Sequence, residues 1–225
     1  MEKILVIGGG GYVGTELIIY LIKKNNFVYC VDKFIYGKNS FIKNSKKLKI
    51  LKYDISHSSL YENIPNDISS VIILAGLVGD PITKKYPDLS HKINYLAIKK
   101  IINFYKKLKV KLIFVSTCSN YGFLENKIAN EKTSLNPKSL YAKQKVKIEK
   151  YILSLRKTSK FSPTILRFST AFGVSARPRF DLTINEFVLH AVTKKKLQIY
   201  DHETWRPYCH LLDFAKVIQK CIEAD

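Results

Sequence analysis

Short apolar runs alternate along the chain with longer stretches in which apolar and polar positions repeat at helical spacing. The short runs are rich in valine and isoleucine, as strands buried on both faces of a sheet are, and they predict strands at 3–7, 27–32, 48–53, 70–75, 111–116 and 163–168. The longer stretches predict helices at 12–24, 89–107 and 139–157. Because strands and helices alternate, we predict an α/β fold with a doubly wound parallel sheet and helices on both faces.

The pattern changes after residue 168, where a loop rich in arginine, proline and phenylalanine occupies 174–182. The elements predicted beyond this loop are a helix at 183–194, a strand at 197–200 and a helix at 211–224. We therefore expect a sheet domain at 1–168 and a small lobe at 169–225 that interleaves with the sheet edge, where ligands bind in such folds.

A glycine-rich turn separates the first predicted strand from the first predicted helix. Gly8, Gly11 and Gly14 occupy this turn, and Asp32 stands at the end of the second apolar run. Glycines in this context let the backbone approach a pyrophosphate, and the N–H groups that open the helix face that anion. The pattern predicts a Rossmann-like dinucleotide site rather than a glycine-rich turn without a ligand.

The acid at the end of the second strand indicates which dinucleotide binds. The carboxylate of Asp32 can accept hydrogen bonds from the adenosine ribose and would repel a 2′-phosphate. We therefore predict NAD rather than NADP, although the adjacent Lys33 weakens that preference.

Tyr141 and Lys145 are four residues apart on a predicted helix, so they share a face. An ammonium near a phenol lowers the phenol pKa, and such a tyrosine can exchange protons with a sugar hydroxyl or ketone. The spacing alone is not specific, because it also occurs at Tyr20/Lys24 and elsewhere. Here, however, Lys145 interrupts an apolar stripe formed by Tyr141, Ile148, Ile152 and Leu155. The alternative is a lysine that extends from the edge of that stripe into water.

Hydroxyl side chains follow the strand predicted at 111–116. Ser116, Thr117 and Ser119 stand where the strand ends, and a hydroxyl there can hold a reacting oxygen between itself and Tyr141.

Composition limits the partners that we expect. The chain has 225 residues, 46% of them hydrophobic, and a formal net charge of +20. The lysines are scattered, so we interpret them as solvated surface that attracts an anionic substrate, not as a nucleic-acid site. No apolar run is long enough to span a bilayer, and residues 1–3 lead directly into a strand without the pattern of a signal peptide. From these two observations we predict a cytoplasmic protein without membrane contact. Four cysteines without metal spacing predict free thiols and no metal site.

Taken together, these motifs resemble the extended short-chain dehydrogenase/reductases, specifically the NAD-dependent nucleotide-sugar epimerase/dehydratase group. The matching motifs, in the family's order, are Gly8-x-x-Gly11-x-x-Gly14, Asp32, Asp54-Ile55, Leu74-Ala75-Gly76, Asn94, Ser116 to Gly122, Tyr141-Ala142-Lys143-Gln144-Lys145, Leu166-Arg167-Phe168 and Trp205 to His210. The resemblance implies an NAD-binding Rossmann domain at 1–168 and a partial substrate-binding lobe at 169–225. Family members continue several tens of residues further, so this lobe is expected to be minimal or truncated.

The resemblance also implies a role for each matching residue. The catalytic residues are Thr117, Tyr141 as the acid/base and Lys145, which binds the nicotinamide ribose and lowers the pKa of Tyr141. Cofactor contacts are expected from Gly8, Gly11, Tyr12, Val13, Gly14, Asp32, Lys33, Asp54, Ile55, Leu74, Ala75, Gly76, Asn94, Ser116, Tyr141 and Lys145. Substrate contacts are expected from Thr117, Asn185, Arg177, Arg179 and Arg206, with the arginines suited to a diphosphate. For each of Arg177 and Arg179, a structural or surface role is the alternative.

The resemblance implies hydride chemistry at one carbon, C4, of a nucleoside-diphosphate sugar. It also implies a homodimer whose two subunits contact each other through the helices near 89–107 and 139–157. The family's 4,6-dehydratases carry Asp-Glu after the catalytic threonine, whereas this chain has Cys118 and Ser119, so an epimerase or a one-way oxidoreductase is favoured. Thr170 replaces the asparagine usual in galactose-type epimerases, which leaves the sugar open. A non-catalytic NAD-binding scaffold or sensor is the alternative from another functional class.

Overall fold

The sheet positions every other element of the chain. The structure is a computed structural model that describes residues 1–37, 45–108, 110–124, 128–156, 161, 163–200 and 202–224. Within these residues a sheet of six parallel strands forms from β1 (Lys3–Ile7), β2 (Phe27–Asp32), β3 (Leu48–Lys52), β4 (Ser70–Ile73), β5 (Lys111–Thr117) and β6 (Thr164–Phe168). Two further strands, β7 (Thr170–Phe172) and β8 (Tyr208–His210), form a separate parallel pair.

The strand order in the main sheet is β3-β2-β1-β4-β5-β6. The order reverses between β1 and β4, and in doubly wound sheets the ligand crevice lies at this point, outside the carboxyl ends of the strands. The structure confirms the predicted α/β fold class and places the glycine-rich turn after β1 at this crevice.

Helices cover both faces of the sheet. Their bounds are α1 (Tyr12–Lys23), α2 (Ser59–Asn63), α3 (Asp80–Lys85), α4 (Pro87–His91), a π-helical segment (Lys92–Ala97), α5 (Ile98–Lys106), a 3₁₀ turn (Cys118–Tyr121), α6 (Leu140–Arg156), α7 (Thr183–Lys194) and α8 (Leu211–Glu223). Residue 157 of the helix predicted at 139–157 and residue 225 of the predicted lobe lie outside the described residues.

Two buried clusters hold these layers together. On one face Ile98 and Ile101 of α5 and Ile148 and Ile152 of α6 pack against Phe114 of β5. On the other face the apolar residues of α1 and α8 pack against β1 and β2, with Leu17, Ile18, Ile218 and Ile222 at most 4% exposed. Burial of each such side chain contributes roughly 1.5–3 kcal/mol, so α8 belongs energetically to the sheet although it follows residue 168.

The structure corrects two of the predicted elements. The predicted strand at 197–200 is wrong: this segment has no regular structure, and Ile199 and Tyr200 are exposed. Strands β7 and β8, which no local pattern predicted, pair across the chain instead, with Thr170 opposite Tyr208. Their pairing joins distant segments, so periodicity along the chain could not reveal it.

The helix predicted at 89–107 is likewise divided into α4, the π-helical segment and α5. The wider turn contains Asn94, whose amide is fully buried and bonded to the loop after β4. Such turns frequently occur at functional sites.

Among the described residues no helix is both long enough and apolar enough to cross a bilayer.

Candidate active site

A cavity of about 640 Å³ lies at the carboxyl ends of β1, β4 and β5. It is closed on the far side by residues 168–171, 177–182 and Phe214. The predicted site residues that line it are Gly8, Gly11, Tyr12, Val13, Gly14, Asp32, Lys33, Asp54, Ile55, Leu74, Ala75, Gly76, Ser116, Thr117, Tyr141, Lys145, Arg177 and Arg179. Residues predicted on unconnected segments therefore meet in one crevice.

The glycine-rich turn forms a cradle with no side chain in it. Gly8 has φ +89°, and a Cβ there would lie 2.5 Å from the backbone nitrogen of Ala75. A Cβ on Gly14 would lie 2.5 Å from the carbonyl oxygen of Gly8. Gly11 precedes α1 without a side-chain cap, so the N–H groups of the first turn are available to an anion. These features fit the pyrophosphate of a dinucleotide.

Asp32 lies at the edge of this cradle, at the end of β2. One carboxylate oxygen accepts a hydrogen bond from the backbone N–H of Gly10 at 3.0 Å, and the other accepts from the N–H of Phe34 at 2.7 Å. Asp32 also lines the cavity, and each carboxylate oxygen can accept a further hydrogen bond, so the group is chemically suited to ribose hydroxyls.

A second carboxylate, Asp54, lines the same end of the cavity. Burial by itself would raise its pKa, but hydrogen bonds from Lys33 at 2.9 Å and from Ser56 outweigh burial and lower the pKa to about 2. Asp54 is therefore ionised, and it neutralises the lysine that stands next to Asp32.

The loop after β4 forms the floor of the cavity. The N–H groups of Leu74 and Ala75 both donate to the carbonyl of Ile7 at 2.9 Å. Asn94 holds Leu77, two residues after Ala75, because its Oδ1 accepts from Leu77 N at 2.8 Å and its Nδ2 donates to Leu77 O at 3.0 Å. Asn94 does not itself line the cavity, so the structure places it behind the loop that does.

Tyr141 and Lys145 enter the cavity from α6. The ammonium of Lys145 donates to the carbonyl of Val115 at 2.7 Å and lies 5.8 Å from the centre of the Tyr141 ring. Burial lowers the pKa of Lys145 to about 8, against an opposing effect of Glu149.

The expected lowering of the Tyr141 pKa is wrong for this structure. Burial of the phenol raises its pKa, because removal from water disfavours the phenolate, and the nearby carboxylate of Asp80 acts in the same direction. The cation that opposes this rise is Arg179, whose guanidinium lies against the turn at Gly79. The ammonium of Lys145 instead makes its contact with the strand carbonyl.

Thr117 ends β5 at the cavity wall. Its hydroxyl caps the following 3₁₀ turn by accepting from the N–H of Ser119 at 3.2 Å. The hydroxyl proton stays available to a ligand oxygen.

Burial raises the pKa of the neighbouring Cys118 thiol, so that side chain supplies no thiolate.

A buried ion pair supports the wall formed by β5 and α6. The carboxylate of Glu149 is 1% exposed; it accepts from Arg167 at 2.7 to 3.1 Å and from Asn120 Nδ2 at 2.7 Å. Ser116, which also lines the cavity, donates to Glu149 and so connects the cavity wall to this ion pair. Sequence reasoning missed Glu149, although its position four residues after Lys145 on the buried face was the available signal.

The segment from 173 to 185 covers the cavity. The guanidinium of Arg177 stacks 3.8 Å from the centre of the Tyr36 ring, near the Asp32 end. Arg179 pairs with Asp181 nearer to Tyr141. Tyr36 was not predicted; it belongs to the chain that follows β2, which carries no chemical motif.

Two of the predicted substrate residues do not line the cavity. The side-chain amide of Asn185 is already hydrogen-bonded within the chain, to Gly173, Tyr12 and Arg179. Arg206 is exposed, and its charge acts on Cys118 at the rim of the site.

Among the described residues no cluster of three or more histidine, cysteine or acidic side chains is arranged to hold a metal ion. The four cysteines are free thiols, as predicted.

Comparison with known proteins shows which family and which structures this chain resembles. The model of the NAD dependent epimerase/dehydratase family matches residues 4–225. A dTDP-D-glucose 4,6-dehydratase of Dictyostelium discoideum is 30% identical over 220 residues, which cover 89% of this chain and 50% of that protein. An uncharacterized UDP-glucose epimerase of Bacillus subtilis is 28% identical, with 96% of this chain and 71% of that protein covered.

A solved structure shows the same architecture over the whole chain. The UDP-N-acetylglucosamine 4-epimerase of Methanobrevibacter ruminantium, in complex with UDP-N-acetylmuramic acid, aligns with a TM-score of 0.90 and 26% identity. The alignment covers 100% of this chain and 74% of that one. The chain thus spans about half to three quarters of the length of these proteins.

Proposed function

The chain belongs to the NAD dependent epimerase/dehydratase family, and from this premise we propose that it is an enzyme that acts on a nucleoside-diphosphate sugar. The proposed reaction is oxidation at one sugar carbon, C4, with Tyr141 as the acid/base. The observation that carries the proposal is that the phosphate cradle, Asp32 and the Thr117, Tyr141 and Lys145 side chains line one cavity.

NAD is the cofactor of this family, and the cradle fits it. The first turn of α1 would bind the pyrophosphate, and Asp32 would bind the adenosine ribose while its charge excludes a 2′-phosphate. Lys145 would bind the nicotinamide ribose. When bound, NAD supplies the acceptor for hydride from the sugar carbon.

The substrate is anionic, and the residues that face it are cationic. Arg177 and Arg179 line the cavity, and guanidinium groups match the oxygens of a diphosphate. Arg206 at the rim completes the proposed substrate set, whereas Asn185 does not line the cavity and would act through its bonds to Gly173 and Arg179. The net charge of +20 favours the approach of such an anion.

Tyr141 accepts the proton of the sugar hydroxyl as hydride leaves, and Thr117 holds the same oxygen by a hydrogen bond. Because burial raises the pKa of Tyr141, the phenolate needs a cation nearby, and the guanidinium of Arg179 is the cation whose charge opposes that rise. Cys118 and Ser119 occupy the positions at which a 4,6-dehydratase needs an acid and a base, so elimination of water is not proposed.

The experiment combines a reaction assay with one substitution. The protein is incubated with NAD and UDP-sugars, and product sugars and NADH absorbance are measured. For Tyr141→Phe we expect at least about a hundredfold loss of rate, because the general acid/base is removed. Tyr20→Phe is the matched control, since Tyr20 also has a lysine four residues later, at 5.8 Å from its ring, but lies outside the cavity.

The outcome also separates the two reactions that remain open. An epimerase forms a new sugar without net NADH, whereas a one-way oxidoreductase forms stoichiometric NADH. Equal rates for wild type and Tyr141→Phe would refute the assignment of Tyr141.

A non-catalytic NAD-binding scaffold is the second candidate. Two observations favour it: Asn185 is hydrogen-bonded within the chain, and Arg206 is exposed, so neither of these predicted substrate contacts lines the cavity. This candidate predicts NAD binding without turnover of any sugar nucleotide.

A further inference from the structure

A polar cluster joins the phosphate cradle to the segment that carries Arg177 and Arg179. We call it the latch and define it as Tyr12, Thr15, Ser175, Asn185 and the backbone of Gly173. The phenol of Tyr12 donates to the carbonyl of Gly173 at 2.7 Å and accepts from Asn185 Nδ2 at 2.8 Å. Tyr12 is 5% exposed, so these bonds are shielded from water.

A second set of bonds lies one turn further along α1. The hydroxyl of Ser175 donates to the backbone carbonyl of Tyr12 at 2.9 Å and lies 2.8 Å from the hydroxyl of Thr15. It also accepts from the backbone N–H of Arg177 at 3.2 Å. Ser175 and Thr15 are both buried, so breaking one of these bonds would leave a buried polar group without a partner, at a cost in stability.

Asn185 connects the two ends of the covering segment. Its Oδ1 accepts from Gly173 N at 3.2 Å, and its Nδ2 donates to the carbonyl of Arg179 at 2.9 Å as well as to Tyr12. The position of Arg179 is therefore set through Asn185 by the phenol of Tyr12.

Tyr12 itself opens α1, so its own N–H belongs to the turn that faces the anion. One residue thus contributes a backbone donor to the cofactor side and a phenol to the substrate side.

We propose that Tyr12 is a positioning residue whose phenol makes dinucleotide binding at the cradle tighten the binding of a nucleoside diphosphate at Arg177 and Arg179. This inference rests on the proposed function, because it deepens the account of the same site. By thermodynamic linkage the tightening is reciprocal, and couplings of this kind are typically about 5- to 150-fold.

The test compares wild type, Tyr12→Phe and the control Tyr20→Phe. Titration calorimetry measures the Kd of NAD and of UDP, each alone and in the presence of the other. In the wild type we expect NAD to tighten UDP binding at least about fivefold. In Tyr12→Phe we expect this factor to fall below about twofold. The factor is a ratio of two UDP dissociation constants within one variant, so it is read separately from any change in the Kd of NAD alone. Tyr20→Phe should keep the wild-type coupling.

Hydrogen exchange of residues 173–182 provides a readout that needs no substrate. NAD should slow exchange of these amides in the wild type and in Tyr20→Phe, but not in Tyr12→Phe. A cluster that serves only folding predicts instead that NAD protects the segment equally in all three proteins, and that result would overturn the proposal. If Tyr12→Phe does not fold, Asn185→Ala carries the same prediction for hydrogen exchange, since it removes the amide that joins the Tyr12 phenol to the carbonyl of Arg179.

The two proposals fail differently. If wild type binds NAD and shows the latch-dependent protection but binds no UDP, the proposed substrate class is overturned. The inference that NAD binding orders residues 173–182 through Tyr12 is then retained. Coupling of UDP and NAD that persists unchanged in Tyr12→Phe overturns the role of Tyr12 and leaves the proposed function intact. Failure of wild type to bind NAD overturns both.

Discussion

At the scale of single residues, the ammonium of Lys145 is held at an energetic cost. It is 3% exposed and lies 4.6 Å from the centre of the Phe114 ring. Burial lowers its pKa to about 8, although Glu149 on the next turn of α6 opposes this effect. A charge kept in such a place is typical of functional sites rather than of stable cores.

Lys145→Met should therefore stabilise the protein at neutral pH. Below about pH 8 the folded protein holds a buried ammonium, and its removal should gain roughly 1–3 kcal/mol. Between the folded pKa of about 8 and the ordinary value of 10.5, the native lysine loses its proton while the unfolded one keeps it, so wild-type stability rises with pH. The advantage of the variant should shrink over that window.

Thermal unfolding at about pH 7 and about pH 10 measures this difference. Lys143→Met is the control, because Lys143 is an exposed lysine on the same helix. A gain that is the same at both pH values would contradict the assignment of the cost to the buried charge of Lys145.

At the scale of elements, α1 depends on close contact with the turn before it. The helix begins at Tyr12, and Gly14 in its first turn packs directly on the backbone of Gly8 and Gly9. This contact sets the direction in which the helix N–H groups point. The same element carries Leu17, Ile18 and Leu21 into the core, so its position couples the cradle to the sheet.

Gly14→Ala should displace the start of α1. The added Cβ would lie 2.5 Å from the carbonyl of Gly8 and 2.7 Å from the Cα of Gly9, and neither backbone atom can move without the strand. We expect a loss of stability of about 1–3 kcal/mol, as for other overpacked sites, and a fall in NAD affinity of at least tenfold, about 1.4 kcal/mol.

Denaturant unfolding and NAD titration check this pair of effects. Lys23→Ala in the last turn of the same helix is the control, since Lys23 is exposed. NAD affinity that survives in Gly14→Ala would show that the phosphate does not bind at this turn.

At the scale of the whole molecule, the layer of α5 and α6 offers a contact surface. Leu96 of the π-helical segment that precedes α5 is 44% exposed, and Leu153 of α6 is 45% exposed. The ammonium of Lys99 on α5 lies 4.7 Å from the centre of the Tyr151 ring on α6 and 5.9 Å from that of Tyr95 in the π-helical segment. The homodimer expected from the family resemblance would bury these leucines.

Leu96→Lys combined with Leu153→Lys should produce a monomer. Sedimentation equilibrium should give twice the chain mass of 25.9 kDa for wild type and the single mass for the double variant. Leu212→Lys is the control, because Leu212 is equally exposed, at 44%, but stands on α8. A wild-type monomer would exclude this interface.

The sequence by itself determined the strands of the sheet and the glycine-rich turn, and it predicted the side chains that line the cavity. Strands buried on both faces are continuous runs of valine and isoleucine, and a phosphate turn requires glycines at set positions, so both are local patterns. For that reason β1, α1 and α6 were predicted within one residue at each end.

Only the tertiary structure decided what depends on contacts between distant segments. The pairing of β7 with β8, the ion pair of Glu149 with Arg167, and the latch between Tyr12 and Asn185 join residues far apart in the chain. The raised pKa of Tyr141 belongs to the same group, because burial depends on everything packed around the phenol. No spacing along the chain encodes such contacts, since they exist only once the layers have assembled.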